Sequence, residues 1–166
     1  MRPSRDVSPA AMPPDRAPLN PRLEFMRLLW AVDHGLHSTS KRLESGSGVT
    51  GPQRLVVRIV GCYPGISAGE LAAVLVTHPS TLSGVLKRLE SRELIERRID
   101  PADGRRAQFK LTRKGKAIDG LRAGTVESTV ARMQSKWTAS DMAAVQRVLG
   151  SLAQELEAKP APKSKR

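Results

Sequence analysis

The sequence has few aromatic residues, a single cysteine and no long apolar run. Only 3% of its 166 residues are aromatic, which leaves few stacking platforms for a protein that binds single-stranded nucleic acid. Cys62 cannot form an internal disulfide, and no cluster of metal-ligand residues contains it. The longest apolar run, residues 71–76, is far shorter than the ~20 residues that cross a bilayer. The first residues contain no apolar signal core, so we expect a cytoplasmic protein without membrane segment, metal or cofactor.

Positive charge is concentrated in one part of the chain. The net charge is +12, and residues 87–116 contribute +6 of it, from eleven Lys and Arg against five Asp and Glu. Residues 1–22 contribute +2 and residues 158–166 contribute +4, so the remaining segments sum to zero. A local excess is typical of a nucleic-acid footprint, although a run of charge can also be a solvated face.

An amphipathic helix is predicted from Ser80 onward. Leu82, Val85, Leu86 and Leu89 recur at helical spacing and indicate one buried face. The other face carries short hydrogen-bonding groups near its start and cations toward its end. Such a helix can enter a DNA major groove, where Ser and Thr bind bases or phosphates and Lys and Arg bind phosphate or guanine. The candidate DNA contacts on this face are Ser80, Thr81, Ser83, Lys87 and Arg88; the last could instead form a structural ion pair.

Cap and turn residues predict the elements before this helix. A first helix should begin with Asn20 as cap, followed by Pro21, and residues 45–51 should form a Gly/Ser loop. Pro52 should open a second helix. Ser67 and Glu70 form a capping box for a short third helix. His78 suits the cap of the amphipathic helix that begins near Ser80, which we call the recognition helix, because a proline follows it.

Two strands and two further helices are predicted after it. Residues 94–99 and 107–111 are typical of strands, and the Asp/Pro/Gly segment between them has turn chemistry. Thr112 can cap a helix over residues 113–134, and Thr138 with Asp141 can cap the last helix. Apolar residues of the last helix follow a heptad spacing, which fits either a dimer seam or packing within one chain. They are Met142, Val145, Leu149, Leu152 and Leu156.

Three helices followed by a two-stranded ribbon predict a winged helix-turn-helix in a mainly α protein. Such a module reads few base pairs and usually binds double-stranded DNA as a dimer. We therefore expect a disordered arm over residues 1–20 and one domain over residues 21–157. Within it, residues 52–112 would form the DNA-binding lobe, and residues 21–45 and 113–157 the dimerisation helices. Residues 158–166 would form a basic disordered tail.

A specific series of motifs carries a family resemblance. After Ser80-Thr81-x-Ser83 the chain reads Leu86-x-Arg88-Leu89-Glu90, Leu94-Ile95-x-Arg97-Arg98, Asp100-Pro101-x-Asp103-x-Arg105-Arg106 and Lys110-Leu111-Thr112-x-x-Gly115. This pattern resembles the MarR family of bacterial repressors, over residues 22–157 in element order. The resemblance implies an obligate homodimer on a palindromic operator and transcriptional repression. It also implies release by small phenolic or other lipophilic anions, or by cysteine oxidation.

The resemblance also implies roles for residues of the wing. Arg105 matches the wing-tip arginine, which suits the negative potential of a narrow minor groove. Asp103 matches the acid that orients neighbouring arginines, and it also suits the turn itself. We expect Arg106 to contact phosphate, and Arg97 and Arg98 are further candidate DNA contacts.

Glu93 and Gly84 are unusual residues for a recognition helix and the segment that follows it. Glu93 lies where the family commonly has Gly, so the exit from the recognition helix could differ in geometry. Gly84 lowers helix propensity by about 1 kcal/mol relative to Ala, and it could either permit close approach to DNA or be neutral.

A candidate effector site involves the first two predicted helices. Trp30, His34 and His37 share a helical face, and Arg54 or Arg58 could add a cation for a small aromatic or anionic molecule. The alternative is an aromatic residue of the dimer interface with solvated histidines. A metal site is not expected because no carboxylate or cysteine cluster completes it. Cys62 could sense oxidants, but a buried, inert thiol is the simpler interpretation.

The sequence thus favours a dimeric, sequence-specific DNA-binding regulator, with repression as the expected role. The alternative is a basic nucleoid or RNA-associated protein that binds nucleic acid without sequence preference. Nothing in the sequence resembles a catalytic triad, a phosphate-binding glycine loop or a pair of catalytic carboxylates, so an enzyme is not expected.

Overall fold

The computed structural model describes residues 18–99 and 106–158. Within these ranges the chain forms seven helices and a three-stranded antiparallel sheet. The elements are α1 (Pro21–Ser47), α2 (Gly51–Cys62), β1 (Ile66–Ser67), α3 (Ala68–Val74), α4 (Pro79–Ser91), β2 (Ile95–Ile99), β3 (Ala107–Leu111), α5 (Arg113–Asp119), α6 (Val126–Gln134) and α7 (Ala139–Glu157). No helix in the described ranges is both long and apolar enough to cross a membrane.

Contacts along the chain divide it into two units, residues 1–36 and 37–166, with the boundary inside α1. The first unit contributes the beginning of α1, where the Asn20 side chain accepts a hydrogen bond from the Leu23 amide at 2.9 Å. The predicted helix start at Asn20 and Pro21 is therefore confirmed. All the elements from α2 to α7 lie in the second unit.

The core of the second unit lies where α2, α3 and α4 meet the sheet. Val57 and Val60 of α2, Leu71 of α3 and Leu89 of α4 have no solvent exposure. Phe109 of the central strand joins the same cluster. Burial of these side chains supplies the main stabilisation of the lobe, because each removes apolar surface from water. The predicted apolar face of α4 is thus confirmed as its buried face.

Several helix-start signals proposed from sequence match the structure in the second unit. Ser67 and Glu70 form a reciprocal capping box at α3, in which the Ser67 hydroxyl accepts from the Glu70 amide at 3.3 Å and Glu70 Oε2 accepts from the Ser67 amide at 2.9 Å. Thr138 and Asp141 do the same at α7, and Thr112 caps α5. These local hydrogen bonds satisfy amides that the helices themselves leave unpaired.

The sheet contains one more strand than the sequence predicted. Strand β3 is central, with β2 on one side, where Ile95 faces Leu111, and β1 on the other, where Ile66 faces Phe109. β1 has only two residues, too few to show an alternating pattern. Its pairing is therefore decided by tertiary contact, including a 2.8 Å hydrogen bond from the Gly65 amide to the Phe109 carbonyl.

The single helix predicted over residues 113–134 is wrong, because the chain forms two helices there. α5 ends at Asp119, and α6 begins at Val126 after a segment in which Gly124 has φ +72°. Thr125 is buried and caps α6, its hydroxyl accepting from the Ser128 amide at 3.2 Å. Gly120, Gly124 and the cap residue Thr125 lie in this segment, and they are the signal in the sequence that marks the break.

The Gly/Ser loop predicted over residues 45–51 is shorter than expected. α1 continues to Ser47, and Gly48 then adopts φ +73°, a left-handed conformation that favours glycine. Arg92, at the end of α4, donates a hydrogen bond to the Gly48 carbonyl. This hydrogen bond links the residue that follows α1 to the end of α4, the recognition helix.

Among the described glycines, Gly115 has the least room for a side chain. A Cβ atom placed on Gly115 would lie 1.9 Å from the Leu94 carbonyl oxygen, far inside van der Waals contact. Thr112, at the start of the same helix, donates its amide hydrogen to that carbonyl at 3.2 Å. Only glycine therefore allows the first turn of α5 to rest on the backbone that leaves α4.

We expect Gly115→Ala to lower the free energy of unfolding by about 1–3 kcal/mol, the usual cost of overpacking a closed site. Thermal unfolding followed by circular dichroism would measure the change. Gly69→Ala is the matched control, since a Cβ on Gly69 of α3 meets nothing within 4 Å. Equal melting temperatures for Gly115→Ala and wild type would refute the steric argument.

Candidate nucleic-acid interface

Helix α4 presents a continuous polar face to solvent. Leu82, Leu86 and Leu89 are buried in the core, and Val85 is half-buried beside them. The opposite face is exposed and carries Thr81, Ser83, Lys87 and Arg88. A Cβ added to Gly84 on this face meets nothing within 4 Å of the protein. The buried stripe thus fixes which side chains point outward.

The start of α4 is set by His78. Its Nδ1 atom accepts from the Ser80 amide at 3.3 Å and lies 2.7 Å from the Ser80 hydroxyl. Pro79 occupies the first turn, where the lack of an amide hydrogen has no cost. The predicted cap is confirmed. The His78 side chain also contacts the Ser80 hydroxyl. Among the side chains predicted to face the groove, Ser80 is therefore already hydrogen-bonded at the start of its own helix.

Glu93, two residues after the end of α4, has an unfavourable backbone conformation. Glu93 has φ +56°, the left-handed region that glycine enters most easily. Thr112 donates its hydroxyl hydrogen to the Glu93 carbonyl at 2.6 Å, and the Glu93 carboxylate pairs with Lys114. The hydrogen bond from Lys114 holds the pKa of Glu93 below its usual value. Glu93 therefore adopts the conformation expected of a glycine, held by contacts with α5.

The turn between α3 and α4 contains a second residue of this kind. Val76 has φ +47° although its side chain is branched at Cβ, which makes the left-handed conformation costly. Its amide and that of Thr77 donate to the carbonyls of Ala73 and Ala72, at 3.2 and 3.1 Å. These bonds close the end of α3 and give the tight turn of a helix-turn-helix.

The strands beside α4 carry further cations. Arg97 and Arg98 of β2 are exposed, and Arg98 pairs with Glu96 at 2.9 Å. Arg106 precedes β3 and pairs with Glu70 at 3.3 Å. Asp103 and Arg105, the predicted wing-tip residues, lie outside the described residues.

Several of these cations have no anionic partner in the described part of the chain. Lys87, Arg88 and Arg97 are exposed, and no carboxylate of residues 18–99 or 106–158 forms an ion pair with them. An ion pair for Arg88, one of the two readings of the sequence, is not found within these ranges. Exposed, unpaired cations on a helix and a neighbouring strand are suited to bind phosphates.

Arg54, a predicted effector ligand, is instead part of the interior. It is 2% exposed and donates hydrogen bonds to the carbonyls of Ile118 and Leu121, the latter at 2.6 Å. Burial lowers the pKa of its guanidinium, and Glu127, 3.4 Å away, partly offsets that effect. Arg54 Nε and one Glu127 oxygen have no hydrogen-bond partner. The guanidinium joins α2 to the segment between α5 and α6.

Arg58, one turn later on α2, is also engaged. Its guanidinium donates to Asp119 at 2.5 Å and lies 3.6 Å from Glu127. The hydrogen bond that Arg58 donates to the Asp119 carboxylate is the main cause of the raised pKa of Arg58. Arg54 and Arg58 therefore serve one ion-pair cluster, a structural role that the sequence did not reveal because both carboxylates lie more than sixty residues away.

The remaining predicted effector residues lie on α1. Trp30 is 75% exposed, and His34 and His37 are exposed on the same helical face. No group of three or more His, Cys, Asp or Glu in the described ranges is arranged to hold a metal ion.

Cys62 is exposed at the end of α2, so the buried thiol predicted from sequence is wrong. Helix α2 ends beside the Pro64-Gly65 turn, which leaves its last residue at the surface. An open cavity of about 590 Å³ is lined by Cys62, Tyr63, Pro64, Gly65, Ile66, Glu70 and Val74. None of the five predicted effector residues lines this cavity.

The buried position of Arg54 predicts a stability role. Arg54→Met should lower the free energy of unfolding by about 1–3 kcal/mol, because it removes the hydrogen bonds of a buried guanidinium to the carbonyls of Ile118 and Leu121. Arg58→Gln is the matched comparison and should cost no more than about 1 kcal/mol, since its ion pair is partly exposed. Urea denaturation would measure both. A wild-type unfolding midpoint for Arg54→Met would contradict this assignment.

Comparisons with known proteins agree with this geometry. A model of the MarR family matches residues 49–107, from the start of α2 to the start of β3. The chain is 28% identical over 125 residues to the HTH-type transcriptional repressor Rv2887 of Mycobacterium tuberculosis, covering 75% of this chain and 90% of that protein. It is 40% identical over 70 residues to the transcriptional regulator HosA of Escherichia coli O111:H-, covering 42% of this chain and 52% of HosA.

Solved structures have the same fold. The S. aureus MepR–DNA complex aligns with a TM-score of 0.65 at 18% identity, covering 80% of this chain and 98% of that one. A mutant MarR from E. coli complexed with operator DNA aligns with a TM-score of 0.63 at 25% identity, covering 82% and 99%. The predicted winged-helix fold and the resemblance to the MarR family are confirmed: the family's model matches residues 49–107, and the chain is similar to transcriptional regulators and to structures of this family.

Proposed function

We propose that this chain is a transcriptional repressor that binds a palindromic operator as a homodimer. The observation that carries the proposal is the polar face of α4, whose Lys87 and Arg88 are exposed and unpaired within the described residues. Rv2887, with which the chain aligns over most of its length, is named a transcriptional repressor. A repressor needs only to occupy its operator, so a DNA-binding face and a dimer are sufficient for this activity.

In this proposal α4 enters the major groove. Thr81 and Ser83 face the bases, and Lys87 and Arg88 face bases or phosphates toward the end of the helix. Arg97 and Arg98 lie on the neighbouring strand and contact the backbone, which positions the protein without reading sequence. We assign Arg105 to the minor groove and Asp103 to its orientation, on the family resemblance alone.

The dimer rests on apolar surface that the single chain leaves exposed. On α1, Leu23, Met26 and Trp30 are exposed, and on α7, Leu149 and Leu156 are 49% and 77% exposed. Neither helix has a buried residue. Long helices that bury no residue of their own are suited to an obligate dimer interface, which is typically large and apolar.

We also propose that a small aromatic or anionic molecule releases the protein from DNA. Trp30, His34 and His37 are the residues of α1 best suited to such a ligand, because an indole and two imidazoles share one exposed face. Arg58 is the candidate cation of α2, and an anion there has to compete with Asp119. Arg54 is not retained as a ligand contact because it is buried and its two terminal nitrogens donate to carbonyls inside the fold.

The alternative is a basic protein that binds nucleic acid without sequence choice. Non-specific binding depends on phosphate neutralisation and falls steeply with salt, whereas an operator-binding protein keeps a large preference over competitor DNA. Gel-shift binding to the DNA upstream of the protein's own gene, with unrelated DNA as competitor and a panel of aromatic acids, separates these cases. Equal affinity for both DNAs at every salt concentration would refute the repressor proposal.

Ser83→Ala and Lys87→Ala should each weaken operator binding more than binding to random DNA. Loss of one good contact to a base edge costs about 1–3 kcal/mol, or roughly fivefold to a hundredfold in affinity. Removing Lys163, Lys165 and Arg166 is the comparison, and it should lower both affinities alike. Fluorescence anisotropy at fixed salt would measure them. If Ser83→Ala and Lys87→Ala reduced both affinities equally, base readout by α4 would be excluded.

Leu149→Asp should convert the dimer to a monomer at micromolar concentration, because burying an unpaired carboxylate costs several kcal/mol. Operator affinity should fall with it, since two recognition helices must be held one DNA turn apart. Gln154→Asp, on the opposite face of α7, is the matched control and should leave the dimer intact. Analytical ultracentrifugation would decide, and a monomeric wild type would remove the dimer proposal.

A further inference from the structure

Arg106 lies at the base of the wing, immediately before β3, and contacts the start of α3. Its Nη2 atom lies 3.3 Å from the Glu70 carboxylate and donates to the Ser67 hydroxyl, also at 3.3 Å. Ser67 is 7% exposed and belongs to β1, where it pairs with Gln108 of β3. One guanidinium therefore joins the strand that leaves the wing to the helix that precedes the recognition helix.

The two oxygens of the Glu70 carboxylate contact different residues. Oε2 accepts from the Ser67 amide at 2.9 Å and from the Ser67 hydroxyl at 2.6 Å, which completes the cap of α3. Oε1 is the atom that faces Arg106. The hydrogen bonds from Ser67, followed by the charge of Arg106, hold the pKa of Glu70 below its usual value. The carboxylate is therefore charged at neutral pH and fixed by a cap that exists without Arg106.

The pairing changes what Arg106 can do for DNA binding. Lys87, Arg88 and Arg97 carry charge that no described carboxylate neutralises, whereas the charge of Arg106 is balanced by Glu70. A half-exposed pair of this kind adds little to global stability. Its geometry nevertheless restrains the segment next to the wing, because the Glu70 end is anchored by the cap and the Arg106 end adjoins residues 100–105.

We propose that Arg106 is a positioning residue, which with Glu70 holds the base of the wing against α3, and that it is not a phosphate contact. This proposal rests on the proposed function and replaces the role that the sequence suggested for Arg106. The expected consequence is that Glu70 and Arg106 act on operator affinity as one unit. A carboxylate near DNA would otherwise be expected to weaken binding by repelling phosphates.

The test is a double-mutant cycle on operator binding with Glu70→Gln, Arg106→Gln and the double variant. Glutamine at position 70 can still complete the capping box, so the cap of α3 is preserved. Each single substitution should lower operator affinity by about threefold, the scale of an exposed ion pair. The double variant should be no weaker than either single one, and the dependence of affinity on salt should keep its wild-type slope.

Three outcomes of this cycle would overturn the proposal. If Glu70→Gln tightened binding and Arg106→Gln reduced the slope of log K against log salt by about one unit, Arg106 would be a phosphate contact. Additive effects in the double variant, or no effect of either single substitution, would show that the pair does not act as a unit. Comparing Arg106→Gln with the double variant measures how operator affinity changes when the Glu70 carboxylate is removed and its partner is already absent. That change reports the effect of the negative charge alone, separate from the ion pair.

Hydrogen exchange in the free protein separates this proposal from the proposed function. In the free protein, exchange of the Gln108 and Ala107 amides should be faster in both single variants than in wild type. This expectation holds whether or not the protein recognises an operator. A wild type without sequence preference would refute the repressor proposal but leave this result intact. Unchanged exchange in both variants would refute the restraint of the wing base itself.

Discussion

The contact of the Leu94 carbonyl with the first turn of α5 determines how the parts of the lobe meet. Leu94 follows the exit of α4, and its carbonyl accepts from the Thr112 amide at 3.2 Å. Gly115 packs directly on that carbonyl, where a Cβ would be only 1.9 Å away. The recognition helix, the sheet and α5 are thus joined at one point, which gives the Leu-Thr-x-x-Gly pattern a steric cause.

The basic residues of the lobe divide into those that hold the fold and those that face solvent. Arg54 and Arg58 bind carbonyls and carboxylates at the junction of α2, α5 and α6. Lys87, Arg88 and Arg97 have no such partners among the described residues and remain available to phosphates. The basic residues are therefore not one surface, since Arg54 and Arg58 are engaged within the fold.

Helix α4 is framed by two residues in the left-handed conformation, Val76 before it and Glu93 after it. Neither residue type favours that conformation, since a Cβ, and a branched one above all, crowds the backbone there. Neighbouring hydrogen bonds from the end of α3 and from Thr112 compensate. The direction in which α4 projects is consequently set by packing on both sides, and the exposed face with Ser83 and Lys87 follows from it.

The sequence by itself determined most helix starts, the apolar face of α4, the two longer strands and the family resemblance, because caps, periodicity and turn residues act over a few neighbouring positions. It did not reveal β1, the break between α5 and α6, or the exposure of Cys62. It also did not show that Arg54 points inward or that Arg106 meets Glu70. Those features depend on partners distant in the chain, as with Arg54 and Leu121, which lie 67 positions apart. Only the tertiary structure brings such groups together, and their burial and pairing decide which cations remain for DNA.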